Sequence, residues 1–282
     1  MLVVLVGLAS AVAYGAADFF GGLASRRVPA VRVVAFAGIA GLLLLTVLSF
    51  FVGGRLSEGA ILWGSLSGVA GSLAILTLYA ALAIGPMSIL SPLTALLSAI
   101  VPLTWGMILG ERLSVIGYIA LGVALVAVVL VGFVPERGAV RPSLRGVVYA
   151  VIAGVMIGVL LIMLDRAPDD SGLLPLVFSR ITYLVIIWTI VLVLWLRSRG
   201  GSWPARSTWW VIVGAGAMDA LANTLLIVGF RVGDLSVVAV LSALYPAGTI
   251  ALAAIVLKER IAPVQWVGLA LALIAAAMLA VA

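Results

Sequence analysis

From Gly59 to Gly110 the chain carries no Asp, Glu, Lys or Arg, and this charge-free run constrains the fold more than any other feature. As one helix it would be about 78 Å long, well over twice the thickness of a bilayer's hydrocarbon core. It must turn, and Gly85-Pro86 is the place, because Pro lacks a backbone N–H and disfavours helix in the residue before it. Apolar runs recur along the whole length: 65% of the residues are hydrophobic and only 9% charged. A soluble domain carries about a quarter charged residues, so this chain lacks the polar surface that water requires. In lipid every backbone N–H and C=O must be paired within the protein, which leaves helices or a closed barrel. The runs are long and do not alternate polar with apolar as barrel strands do, so the fold class is all-α integral membrane.

Charged and turn residues cut the chain into ten runs of spanning length, near 2–24, 33–52, 60–80, 86–109 and 113–133, then 146–164, 173–196, 208–230, 235–257 and 262–281. The first run has no basic residues ahead of it and contains Asp18, so it reads as a membrane helix and not as a cleaved signal peptide. The Pro/Arg-rich stretch Val134–Arg145 separates two apolar blocks of similar size. It divides the chain into two five-helix units, 1–134 and 146–282.

The units repeat one another. With a shift of 148 residues, Gly85-Pro86-Met87-Ser88 falls on Gly233-Asp234-Leu235-Ser236, and Glu111-Arg112 falls on Glu259-Arg260 without a gap. One apolar run of matching length separates the two signatures in each half. Five helices is an odd number, so the second half enters the membrane from the opposite side. The halves are then inverted repeats, an architecture of secondary transporters that places the substrate site near the midplane between them.

The chain has no Cys and no His, which removes disulfides, thiolate chemistry, His-based triads and the commonest metal ligands. No phosphate-binding loop or metal cluster occurs, so neither a cofactor nor a metal is expected, and an ATP-driven pump is excluded on this chain alone. The net charge of +6 does not form a basic patch with interleaved aromatics, so no nucleic acid is expected. The basic residues sit in short connections instead. One side holds Arg26, Arg27, Arg32, Arg137, Arg141, Arg145, Arg197, Arg199, Arg206, Lys258 and Arg260, eleven in all. The other holds four: Arg55, Arg112, Arg166 and Arg231. The positive-inside rule puts the first side in the cytoplasm and both termini outside a cell (inner) membrane.

Charges within the runs are the candidate site, because charge in hydrocarbon is costly and usually faces a cavity or a partner. Asp18 reads either as a proton-coupling carboxylate or as a member of a structural ion pair or hydrogen-bonded network. Asp219 and Asn223 lie four apart on one helix face, beside the small Ala215, and either line a cavity or bond to a neighbouring helix. Arg180 either compensates Asp219, receives an anionic substrate group, or snorkels to the interface. Tyr14, Tyr79 and Tyr245 are candidates for the cavity wall; Tyr14 is one turn from Asp18, and Tyr245 precedes Pro246, whose missing N–H frees a carbonyl. Ser91 belongs to a stripe with Ser88 and Thr94 that reads as cavity or as close packing. Gly64, Gly68 and Ser72, and likewise Gly154 and Gly158, are small-residue faces for close helix approach. Trp63, Trp188, Trp195, Trp203, Trp209, Trp210 and Trp266 read as interfacial anchors.

Two five-helix halves, each with an Ala/Gly-rich fourth helix, a Glu-Arg and a final apolar helix, resemble the EamA-type transporters of the drug/metabolite transporter superfamily. The likeness is strongest over 79–132 and 227–281. Tyr14 to Gly21, with Arg26 eight residues after Asp18, also resembles the first helix of the small multidrug-resistance transporters, where a membrane carboxylate couples proton and drug. These resemblances imply a secondary transporter that moves a small metabolite, amino acid or drug by alternating access, with proton-coupled efflux as one form. Its partners would be a small-molecule substrate, the lipid bilayer and protons, and the chain would act as monomer or homodimer. The alternative is a non-transporting membrane scaffold or channel subunit. An enzyme is not expected: an intramembrane aspartyl protease needs a Tyr-Asp and a Gly-x-Gly-Asp, whereas Ala17 precedes Asp18 and Met218 precedes Asp219.

Overall fold

A computed structural model describes residues 1–25, 27–84, 87–132, 143–198, 206–258 and 261–281, with backbone alone at 79, 82–84, 87–89, 91–92, 132, 197–198, 206–207 and 280–281. The helices are α1 (Leu2–Ser25), α2 (Ala30–Val52), α3 (Glu58–Ile84), α4 (Met87–Ile108), α5 (Val115–Gly132), α6 (Leu144–Asp165), α7 (Leu174–Ser198), α8 (Arg206–Val232), α9 (Leu235–Ser242), α10 (Tyr245–Val256) and α11 (Pro263–Val281). A 3-10 turn at Asp169–Ser171 precedes α7, and no strand occurs among the described residues. Seven spans are long and apolar enough to cross a membrane: α1, α2, α3, α6, α7, α8, and α9 with α10 taken together. Shorter apolar stretches, Leu93–Ile108, Val115–Val131 and Pro263–Leu279, lie in α4, α5 and α11. The expected turn residues Gly85 and Pro86 lie outside the described residues, between the end of α3 and the start of α4, as do Arg26, Trp203, Glu259 and Arg260.

The ninth run is not one continuous helix. It breaks at Ala243-Leu244, where Leu244 N–H bonds only three residues back, to the Leu241 carbonyl, and the chain restarts at Tyr245-Pro246. Pro246 cannot donate to the Ser242 carbonyl one turn earlier, and its ring crowds that carbonyl. The break is therefore written into the sequence, although hydropathy alone runs straight through it.

Successive contacts fix how the helices run. Gly7 lies against Leu241 and Gly15 against Tyr245 and Thr249, so α1 is parallel to α9 and α10. Gly64 lies on Pro175 and Gly68 on Ser179, making α3 parallel to α7; Gly154 lies on Leu97 and Gly158 on Val101, making α6 parallel to α4. Val3 meets Gly233, Val6 meets Gly229 and Phe20 meets Gly214, so α1 is antiparallel to α8. Gly59 on Pro168 and Gly71 on Leu160 do the same for α3 and α6. All of these directions agree with consecutive runs that alternate. The packing is also the same when the halves are exchanged: α1 packs on α8 as α6 does on α3, α2 on α8 as α7 on α3, and α1 on α9 and α10 as α6 on α4.

Small residues make this packing possible, since lipid supplies no hydrophobic drive between helices and van der Waals contact must do the holding. The two glycine faces expected to pack do so. A Cβ on Gly64 or Gly68 would run into backbone atoms of Pro175 and Ser179, and one on Gly154 or Gly158 into Leu97, Thr94 and Val101. Outside, large apolar side chains such as Phe50, Phe51, Leu144 and Trp210 are exposed, as a lipid-facing surface requires. Trp195 and Trp266 are exposed too, in keeping with anchors. Trp188 and Trp209 instead pack edge-on against Phe36, with ring centroids at 5.3 and 4.7 Å, and so bind α2, α7 and α8 together.

Candidate functional site

The site begins on α1, where Tyr14 and Asp18 are one helical turn apart and share a face. Gly15 lies between them and lets α10 approach: a side chain there would collide with the backbone of Tyr245 and Thr249. The Thr249 hydroxyl donates to the Gly15 carbonyl at 3.2 Å. One turn before Tyr14, Ser10 is fully buried; its hydroxyl donates to the Ala222 carbonyl at 3.3 Å and shares a hydrogen bond with Ser242 at 3.2 Å. Three helices, α1, α8 and α9, are thereby held in register around Asp18. Tyr245 is carried in by the break that Pro246 imposes.

Across from α1, α7 contributes Arg180 and α8 contributes Asp219 and Asn223. The Arg180 guanidinium forms a salt bridge to the Asp219 carboxylate. It also lies 5.4 Å from the Tyr183 ring centroid, one turn further along α7, a cation–π distance. Gly41 of α2 leaves room beside the guanidinium. The Asn223 amide nitrogen donates to the Asp219 carbonyl at 2.8 Å, which ties that side chain to its own helix.

These groups surround one cavity of about 260 Å³ between the two halves. Tyr14, Asp18, Arg180, Asp219, Asn223 and Tyr245 all line it, and α3 closes one side with Gly68, Gly71 and Ala74. Asp18 is exposed within it and makes neither a hydrogen bond nor an ion pair among the described residues. The Arg180–Asp219 pair is only partly shielded, at 15% and 32% side-chain exposure, so the cavity reaches it. Chemically, the cavity offers a carboxylate without a partner among the described residues, a charge pair that a substrate can compete for, and aromatic walls. Among the described residues no group of His, Cys, Asp and Glu could hold a metal ion. A second cavity of about 530 Å³, lined by Trp63, Trp105 and Arg166, holds none of the candidate site residues.

Of the eight residues expected from the sequence, six meet at the cavity. Tyr79 and Ser91 are on described helices, but their side chains lie outside the described residues. Thr94, from the same stripe as Ser91, packs: its hydroxyl donates to its own helix at Leu90 and to the Ala150 carbonyl of α6 at 3.2 Å. Tyr183, Ser98, Ser179 and Ser242 line the cavity and were missed. Tyr183 was within reach of the argument, since it follows Arg180 by three positions on one helix face. The serines carry no such signal, because membrane helices use hydroxyls for packing throughout.

A family model for the EamA-like transporter family matches residues 1–133 and 144–281. A solved structure described only as "Crystal structure of protein" is similar to this chain over 98% of its length and 95% of the other's, with a TM-score of 0.79. At 18% identity that likeness shows the fold. No curated protein matches the chain.

Proposed function

The chain belongs to the EamA-like transporter family, and from that premise we propose that it is a secondary transporter working by alternating access, with the cavity as its substrate site. In this reading all ten runs span the membrane, the units 1–134 and 146–282 are inverted repeats, and the halves rock about the cavity between them. Support comes from the alternating helix directions and from packing that survives exchange of the halves. The asymmetry of eleven basic residues against four supports an orientation with both termini outside.

The observation that carries the reading is the pairing pattern in the cavity: Arg180 holds Asp219, while Asp18 has no partner among the described residues. Asp18 is the proton-exchanging carboxylate. Arg180 is the anion receptor, held by Asp219 until a substrate carboxylate or similar group displaces it. Arg suits that exchange because its planar fork matches a carboxylate in two bonds. Substrates of this site are small amphiphiles with a group that can compete at Arg180, such as metabolites, amino acids or acidic drugs, and export is the direction favoured here.

The test is flux in proteoliposomes with and without a pH gradient, comparing wild type with Asp18→Asn and Asp219→Asn. Loss of gradient-driven flux in Asp18→Asn, with substrate exchange retained, supports the assignment. Undiminished gradient-driven flux in Asp18→Asn sinks the coupling role and leaves the transporter standing. A scaffold or channel subunit would show no saturable flux in any of the three.

A further inference from the structure

At the end of the bundle where α1 begins, the two halves touch. Arg55 N–H donates to the Asp170 carbonyl at 2.8 Å, and Gly54 is pressed directly against Ser171 and Gly172. Beside this seam Glu111, just beyond α4, reaches across to the start of α9. Its Oε1 accepts from the Leu235 N–H at 3.1 Å and its Oε2 from the Ser236 N–H at 3.2 Å. The Ser236 hydroxyl completes the joint by donating to the Leu103 carbonyl of α4 at 3.3 Å. A methyl on Gly106 would collide with both the Glu111 carboxylate and the Ser236 hydroxyl, so a side chain there would have to displace them.

The helix held in this way occupies a particular place. All eight residues of α9 are buried. Of its residues Ala239 and Ser242 line the cavity, and the first four, nearer the end where α1 begins, do not. At its far end the Ala243-Leu244 break separates it from α10. It is a short rod, pinned at one end and hinged at the other. Its own N-cap residue, Asp234, has the extended backbone of a cap yet makes no side-chain capping bond. The cap is supplied from the other half, 124 residues away. A carboxylate at a helix N-terminus is favoured by the orphan amides and the helix dipole, whichever residue delivers it.

We propose that Glu111 and Asp234 are alternative caps of α9, and that the exchange between them is the latch of this gate. With Glu111 on the amides, α9 stays across the path and the cavity is shut towards the face where the chain begins. When Glu111 lets go, Asp234 caps α9 within its own half by accepting from the Ser236 or Val237 N–H, so that the helix start keeps a carboxylate cap and the halves can part. This rests on the alternating-access reading above.

The chain has no native cysteine, so Ala239→Cys supplies the single thiol for accessibility measurements. Its reaction with a membrane-impermeant maleimide is timed in right-side-out and inside-out vesicles. Glu111→Ala is expected to raise the rate from the face where the chain begins about tenfold, as the loss of charge-assisted bonds partly offset by Asp234 implies. Gly106→Ala, which keeps the carboxylate but displaces it, raises the rate in the same sense. Asp234→Ala lowers it below the parent, an effect that a purely structural Glu111 cap would not give. Glu111→Gln, which keeps one acceptor, serves if Glu111→Ala fails to fold. Unchanged rates in the Glu111 and Gly106 variants, with the thiol still reactive from the opposite face, overturn the latch alone. A thiol unreactive from both faces in every variant overturns alternating access and the latch with it.

Discussion

Consider replacing Asp219 by Asn, which keeps the shape and one acceptor but removes the charge that faces Arg180. Removing one member of a fully buried pair costs about 3–5 kcal/mol, chiefly because the other charge is stranded. Here Arg180 is 15% and Asp219 32% exposed to the cavity, so water takes up part of the loss. Tyr183 retains its contact with the guanidinium, a further offset of about 0.5–1 kcal/mol. A destabilisation of about 2 kcal/mol remains. The converse variant, Arg180→Met, should be milder, because a stranded carboxylate can take up a proton whereas a guanidinium cannot discharge. Combining the two removes both charges and should return stability to within about 1 kcal/mol of wild type. Thermal unfolding of the purified protein in detergent measures all four corners of the cycle. At roughly 2–4 °C per kcal/mol for a chain of this size, Asp219→Asn should unfold about 4–8 °C early. The reasoning fails if Arg180→Met is the more damaging single change, or if the double variant loses the sum of the two.

Three further outcomes are expected. Gly68→Val should abolish recovery of monodisperse protein in size-exclusion chromatography, since its neighbour is the Ser179 carbonyl, while Gly122→Val, with open space around it, should behave as wild type. Gln265→Leu should cost about 1–3 kcal/mol in thermal unfolding. Its buried side chain both accepts from Ala262 N–H at 3.0 Å and donates to the Val131 carbonyl at 3.3 Å, tying the start of α11 to the end of α5. Ser143→Ala should lower stability by about 1 kcal/mol by uncapping α6, whose Gly146 N–H is held by the Ser143 hydroxyl at 3.1 Å; faster hydrogen exchange at the first turn of α6 is the local sign.

Several features were legible before any helix was placed, and each is a local property. Hydropathy counts the apolar runs, and the 148-residue register of the repeat locates its two signatures. Rarity of charge in lipid singles out Asp18, Arg180 and Asp219, and all three line the cavity. The glycine faces on α3 and α6 were legible for the same reason: close approach of backbones needs the side chain to be missing, wherever the partner comes from.

What the chain could not reveal by itself is who meets whom. Arg180 had three readings, and the fold chose the pair with Asp219, 39 residues away, because α7 and α8 both face the cavity. Trp188 and Trp209 looked like interfacial anchors, yet Phe36 of α2 lies between them and draws both into packing. The Glu-Arg signature was visible only as a marker of the repeat. Its carboxylate gained a purpose when α9 was found with its amides turned to Glu111 and its own Asp234 idle. Sequence alone determined that this protein lives in lipid, repeats itself and hides three charges, because solvation and periodicity are read residue by residue. Tertiary structure decided the partners of those charges, because a hydrogen bond or an ion pair depends on distances that neighbours in sequence do not share.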